Sequence, residues 1–339
     1  MKKIALQNLP KLFSAISESK ALYLPVDTES GAEFRLYREG DTLSEACNTN
    51  RSAKDFFFPQ VEDMAEFKVE GKKIEVLDIR RESEEFVIFG ARACDVKSFE
   101  ILDSVFLADP VDTYYKNRRE HVTVISLACN FPEETCFCST FGIDAASPAG
   151  DVAAWIIDEE LYMTALTEKG EAFLSAHAAL LSDADESKVD KKKEEIAEIC
   201  HRLPLQNLPV EHFKAEKLME HFNDPKWAEL SQSCIGCGTC TFVCPTCQCF
   251  DIRDFDTGNG IQRYRCWDSC MYSDFTQMAA AQPRLTQLER FRQRFMHKLV
   301  YHPANHEGTY GCVGCGRCLA KCPISMNIAK VIKEIGGEK

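Results

Sequence analysis

A chain of 339 residues, 45% apolar and 27% charged, can bury a real core and is long enough for two domains or three. Its formal charge of -13 argues against nucleic acid or an anionic membrane surface as a partner, because phosphate binding needs clustered Lys and Arg. A core of this size does not need disulfide staples, so 18 cysteines point instead to metal ligation in a reducing compartment.

The amino-terminal stretch MKKIALQNLPKLFSA is interrupted by Gln7, Asn8, Pro10 and Lys11, which is not the pattern of an export signal. No run approaches the roughly 18 apolar residues needed to span a bilayer. A cytoplasmic protein without direct membrane insertion is expected. Leu9, Leu12, Phe13 and Ile16 share one helical face, and β-rich segments follow at 21–26 and 33–38. Segments 66–70 and 73–79 form a hairpin pattern around Gly71. Two strongly apolar strands, Phe86 to Phe89 and Val122 to Leu127, flank helical segments carrying Phe99, Leu102 and Phe106. Strand, helix, strand in that order predicts a parallel pair with a right-handed crossover. Strands at 152–157 and 161–166 lead into a mostly helical stretch, 168–222, whose charged tract Asp183 to Glu195 reads as a solvated loop entering a helix.

Turn chemistry at Asn223, Asp224 and Pro225 marks a boundary, giving domains 1–222 and 223–339. Beyond it, Cys234, Cys237, Cys240 and Cys244 precede Pro245, and the pattern CxxCxxCxxxCP returns as Cys312, Cys315, Cys318 and Cys322 before Pro323. Three thiolates of such a run reach one 4Fe-4S cubane from a tight loop, and the fourth ligates the cluster of the other run. The first cluster is therefore expected on Cys234, Cys237, Cys240 and Cys322, and the second on Cys312, Cys315, Cys318 and Cys244. Structural zinc sites instead present separated CxxC knuckles. Some 67 residues separate Cys244 from Cys312, far more than in compact ferredoxins. Helical periodicity at 271–281, 285–300 and 324–335 suggests an all-helical module, with Leu288, Phe291, Phe295 and Leu299 as core. The expected fold class is α+β: an N-terminal mixed α/β domain followed by an α-helical two-cluster ferredoxin-like domain.

Ten cysteines lie outside these runs. Cys94 and Cys129 each follow one of the two apolar strands, with Cys136 and Cys138 on the next loop. Parallel neighbours would bring these four to one sheet edge, where α/β folds place ligands, and they could hold a third 4Fe-4S cluster or a zinc ion. Cys247, Cys249, Cys266 and Cys270 form a second group near the first run, able to add ligands or merely to shield the clusters. Cys47 and Cys200 have no evident partner, and His297, His302 and His306 read as surface or core. No GxGxxG or GxxxxGK[ST] announces a nucleotide or flavin pocket.

Phe56-Phe57-Phe58-Pro59, the FGARACD stretch ending at Asp95, Tyr114-Tyr115 with Arg118-Arg119, CFC at 136–138, CPTCQC at 244–249 and WDSC at 267–270 resemble one family over most of the chain. It comprises the iron-sulfur beta subunits of cytoplasmic sulfhydrogenases and the corresponding iron-sulfur subunits of anaerobic sulfite reductase. The resemblance implies an anaerobic electron-transfer protein that relays electrons between a flavin subunit using NAD(P)H and a second catalytic component. That component would be a hydrogenase, a sulfite reductase or a heterodisulfide-reductase-like module. Arginine usually stands in that family at the position of Cys266, which weakens Cys266 as a ligand and leaves Cys247, Cys249 and Cys270. Two alternatives compete: an iron-sulfur redox sensor, and a self-contained reductase using the strand-end cysteines.

Overall fold

The apolar periodicity of the first turn-and-helix is met by α1 (Leu9–Ser17), which buries Leu9, Leu12, Phe13 and Ile16 along one face. The computed structural model describes residues 1–337. Strands β1 (Lys2–Ala5), β2 (Ala21–Thr28) and β3 (Gly31–Leu36) surround α1 in sequence, and β4 (Val61–Glu70) and β5 (Lys73–Asp78) form the hairpin around Gly71. Strand β6 (Phe86–Ala91) then leads through α2 (Ala93–Phe106) and α3 (Thr113–His121) to β7 (Val122–Leu127). Strands β8 (Val152–Ile157) and β9 (Glu160–Ala165), α4 (Glu168–Ala176), the two-residue β10 (Ser182–Asp183) and α5 (Ser187–His201) complete this part.

One eight-stranded sheet runs in the order β10-β1-β9-β8-β7-β6-β2-β3. Its centre is parallel, β2 with β6, β6 with β7 and β7 with β8, as the strand-helix-strand order predicts. Every residue of β6 and β7 is buried, because helices cover both faces of a parallel sheet. Phe13, Phe89 and Leu127 pack with α1 and α4 on one side, and Phe57, Phe99 and Tyr115 with α2 and α3 on the other. Each such side chain contributes roughly 1.5–3 kcal/mol of burial. The parallel register sends the chain ends after β6 and β7 out of the same edge.

The rest departs from the all-helical expectation. Residues Phe250–Asp256 and Gly260–Trp267 form β11 and β12, a hairpin turned at Gly258 and Gly260, both with positive φ. Strand β12 pairs with β4, so a second sheet, β11-β12-β4-β5, takes two strands from each side of the expected 222/223 division. The alternation in FDIRDFD and the turn at Thr257-Gly258-Asn259-Gly260 are strand and hairpin signals that outweigh helical periodicity nearby. At its base, buried Arg265 pairs with Glu62 and Asp112, and the Trp267 indole donates to Phe58 O at 3.0 Å. The helix expected at 271–281 is absent except for a short turn at Asp274–Thr276, where Gln282 ties back to Ser273 O and accepts from Thr276.

Helices α6 (Leu218–Phe222), α7 (Lys226–Gln232) and α8 (Thr239–Phe242) precede that hairpin. After it come α9 (Gln287–Met296), continued by a π turn at His297–Tyr301 into α10 (His302–Asn305), then α11 (Arg317–Ala320) and α12 (Ile328–Gly336). A capping box between Thr286 and Glu289 starts α9. Phe291, Phe295 and Leu299 are core, packed with Trp227 and with Val331 and Ile332 of α12; Leu288 is partly buried against them. Buried Arg317 of α11 bonds Asp95 of α2 at 2.8 Å and Thr49 O at 2.9 Å, fastening the helical part to the large sheet.

Candidate metal centres

The two cysteine runs read Cys-Ile-Gly-Cys-Gly-Thr-Cys and Cys-Val-Gly-Cys-Gly-Arg-Cys. In both, the third and fifth residues are left-handed glycines: Gly236 and Gly238 at φ +68° and +74°, Gly314 and Gly316 at φ +59° and +77°. That conformation suits glycine and curls each loop so that its thiols converge. A single-turn helix follows each loop, α8 carrying Cys240 and α11 carrying Cys318, and the fourth cysteine emerges just before proline.

The structure brings the eight cysteines together crosswise. Cys234, Cys237 and Cys240 share a cavity with Cys322, whereas Cys312, Cys315 and Cys318 share one with Cys244. Apolar walls are contributed by Phe291, Phe295 and Met326 in the first and by Phe137, Val313 and Ile328 in the second, while Cys237 of the first is exposed to solvent.

Arg294 of α9 lines both cavities. Its Nε lies 2.9 Å from Cys240 Sγ, its Nη2 donates to Cys240 O at 2.7 Å, and its buried Nη1 has no partner. Burial opposes its charge, but the thiols of Cys240, Cys247, Cys318 and Cys244 favour it and prevail. One turn on, Lys298 is buried with its ammonium bonded to Thr246 Oγ1 at 2.6 Å and Gly311 O at 2.9 Å. Burial again opposes charge, and Cys244, Cys247 and Cys312 outweigh it. Among the described residues the ion pairs include neither cation, so their negative counterparts are the cysteine sulfurs. Two buried cations without carboxylates are costly unless anions are bound beside them. The thiolate-rich, anionic 4Fe-4S cluster fits that requirement.

The strand-end group is also assembled. Cys94, Cys129, Cys136 and Cys138 line one cavity of about 150 Å³ at the edge where β6 and β7 end. Cys47, which has no evident partner in the sequence, belongs to it too: its Sγ lies 3.9 Å from Cys136 Sγ. Hydrogen bonds with the Cys129 and Cys136 thiols hold Cys47 well below its usual pKa and push theirs up. Cys200 of α5 and Cys315 of the second run reach the same cavity. A signal for Cys47 is present in the chain: Ala46-Cys47-Asn48, Ala93-Cys94-Asp95 and Ala128-Cys129-Asn130 repeat one tripeptide pattern. Arg92 clamps these loops, donating to Ala46 O at 2.9 Å, Cys47 O at 3.1 Å and Ala128 O at 2.9 Å.

The second outlying group divides. Cys247 lies against Cys244, and Cys249 against Cys270, whose hydrogen bond lowers the Cys249 thiol to about 7. Buried Lys54 donates to Cys247 O at 2.9 Å and stacks over Trp267. Cys266 stands apart on β12 opposite Asp251, with no cysteine among the groups that shift it. Among the described residues, no three His, Cys, Asp or Glu side chains converge as ligands of a single metal ion, and no helix is long and apolar enough to cross a membrane.

Comparison with known proteins bears on this arrangement at two levels. Residues 233–326 match the model of a 4Fe-4S dicluster domain, a module holding two 4Fe-4S clusters, and the match spans both cysteine runs. The chain is 31% identical to sulfhydrogenase 2 subunit beta of Pyrococcus furiosus over 336 residues, covering 98% of this chain and 97% of that protein. A likeness that runs end to end, through the sheet as well as the cysteine loops, makes the chain a member of the family of sulfhydrogenase beta subunits.

Proposed function

We propose that the chain is the electron-relay subunit of a multi-subunit oxidoreductase, passing electrons between a flavin subunit that uses NAD(P)H and a second catalytic component such as a hydrogenase. The observation that carries this reading is the pair of cross-built cavities sharing Arg294 as a common wall. Cys234, Cys237, Cys240 and Cys322 ligate the first cluster; Cys312, Cys315, Cys318 and Cys244 ligate the second. When bound, the clusters supply one-electron transfer. The chain's own residues set the conditions for it. The left-handed glycines bring backbone close to the sulfurs, the apolar walls lower the local dielectric, and Arg294 and Lys298 hold positive charge where negative charge accumulates on reduction. Likeness to a sulfhydrogenase beta subunit supports partners on both sides of the relay, and the lack of a nucleotide fingerprint in the sequence supports a flavin site on another chain.

The test is anaerobic reconstitution. NAD(P)H should reduce the clusters, seen by electron paramagnetic resonance, only after a flavin subunit is added. NAD(P)H oxidation by the flavin-free chain alone would instead establish a self-contained reductase.

A further inference from the structure

We propose that Cys47, Cys94, Cys129 and Cys136 ligate a third 4Fe-4S cluster in the strand-end cavity, and that Cys315 joins it to the second cluster. Four features carry this assignment. The three Ala-Cys-Asx loops meet there from separate parts of the chain, two of them at the ends of fully buried parallel strands. A lone cysteine buries readily as a small apolar residue, but thiols from three separate loops converging on one point is the arrangement a metal centre requires. The cavity, about 150 Å³, exceeds the corresponding volumes of about 30 Å³ and 20 Å³ at the two dicluster sites. The polar atoms around it are also ready for a ligand: Asn48 points its amide nitrogen at both Cys47 Sγ and Cys136 Sγ, each at 3.9 Å, while its buried Oδ1 has no partner.

The donor set differs by one residue from the strand-end four. Cys136 Sγ lies 3.9 Å from Cys47 Sγ, and Cys94 and Cys129 line the same cavity from the two strand ends. Cys138 lines the same cavity and packs against Cys94 and Cys315, but it lies outside the three Ala-Cys-Asx loops and is not hydrogen-bonded to Cys47 as Cys136 is. The link to the relay is local. Cys315 lines both the strand-end cavity and that of the second cluster, and Asn48 donates to Cys315 O at 2.9 Å. With both clusters bound, one electron at a time would pass between the second and the third, with no bond or proton exchanged; this role, unlike the site itself, rests on the relay reading above.

Iron and acid-labile sulfide in the anaerobically purified full chain test the site. Wild type should hold about twelve irons, four for each of three clusters. Cys47→Ala should hold about eight and keep the dicluster resonance, while Cys200→Ala should keep about twelve. Spin counting of fully reduced wild type, expected at about three spins per chain, gives the same answer without a variant. About eight irons or two spins in wild type, with or without zinc, or an unchanged count in Cys47→Ala, would overturn the proposal. A wild-type count of about eight with NAD(P)H-driven reduction intact would remove the third cluster and leave the relay standing. A full count without such reduction would do the reverse.

Discussion

The dicluster region and the strand-end cavity both gather thiols beside a buried arginine, but the arginine reaches sulfur differently in each. Around the paired runs, Arg294 and Lys298 direct permanent positive charge at sulfur, with Arg294 Nε 2.9 Å from Cys240 Sγ. At the strand ends, buried Arg92 donates to backbone carbonyls while its charge favours the Cys47 and Cys129 thiolates, and burial pushes the Cys94 thiol up with Asp95 adding to it. Arg317, paired with Asp95, also favours the Cys94 thiolate by its charge. Reduction adds negative charge, so buried positive charge beside a cluster raises its potential.

Substitutions in the two regions put this contrast to the test. Cys318→Ala should act most strongly, because it removes a thiol deep in the second cavity; loss of about four irons with the first cluster retained would confirm that the two cavities load separately. Next, Asp95→Ala strands Arg317 as a buried unpaired cation at the junction of the two regions. Chemical denaturation should show a loss of about 3–5 kcal/mol. Gly314→Ala places a Cβ against the Phe137 carbonyl from a left-handed backbone, which should cost about 1–3 kcal/mol in the same assay and lower the iron content. Arg294→Gln keeps a polar side chain but removes the charge between the clusters. A redox titration should then show the dicluster potentials lowered by on the order of 60 mV, a tenfold change in affinity for one electron, with iron content unchanged. Arg263→Ala should do least: its pair with Asp254 is exposed on the second sheet, so the denaturation midpoint and the iron content should both stay where they are in wild type.

How far these features could be read from the chain follows from their range. The dicluster ligands lie within stretches of eleven residues, so spacing alone states which thiols can meet one cubane. The parallel strands were equally plain, because burial on both faces leaves near-continuous apolar runs such as Phe86 to Phe89. Long-range assembly was harder to see. Cys47 reaches Cys136 only because the loop after β3 crosses the sheet edge, a consequence of placing β2 beside β6 that no periodicity encodes. The β11–β12 hairpin was missed for a related reason. Strand β11 is largely exposed and charged, and the hairpin is anchored through β12 to β4, nearly two hundred residues earlier.

Two adjacent clusters held crosswise and coupled across Arg294 should leave a magnetic signature, and electron paramagnetic resonance of the fully reduced chain reads it. Interaction between the two clusters of the dicluster region is expected to broaden the wild-type spectrum, which then collapses to a simple signal from the first cluster in Cys318→Ala. Two sharp, non-interacting dicluster signals in the wild type, or a spectrum that Cys318→Ala leaves unchanged, would be incompatible with the crosswise pair.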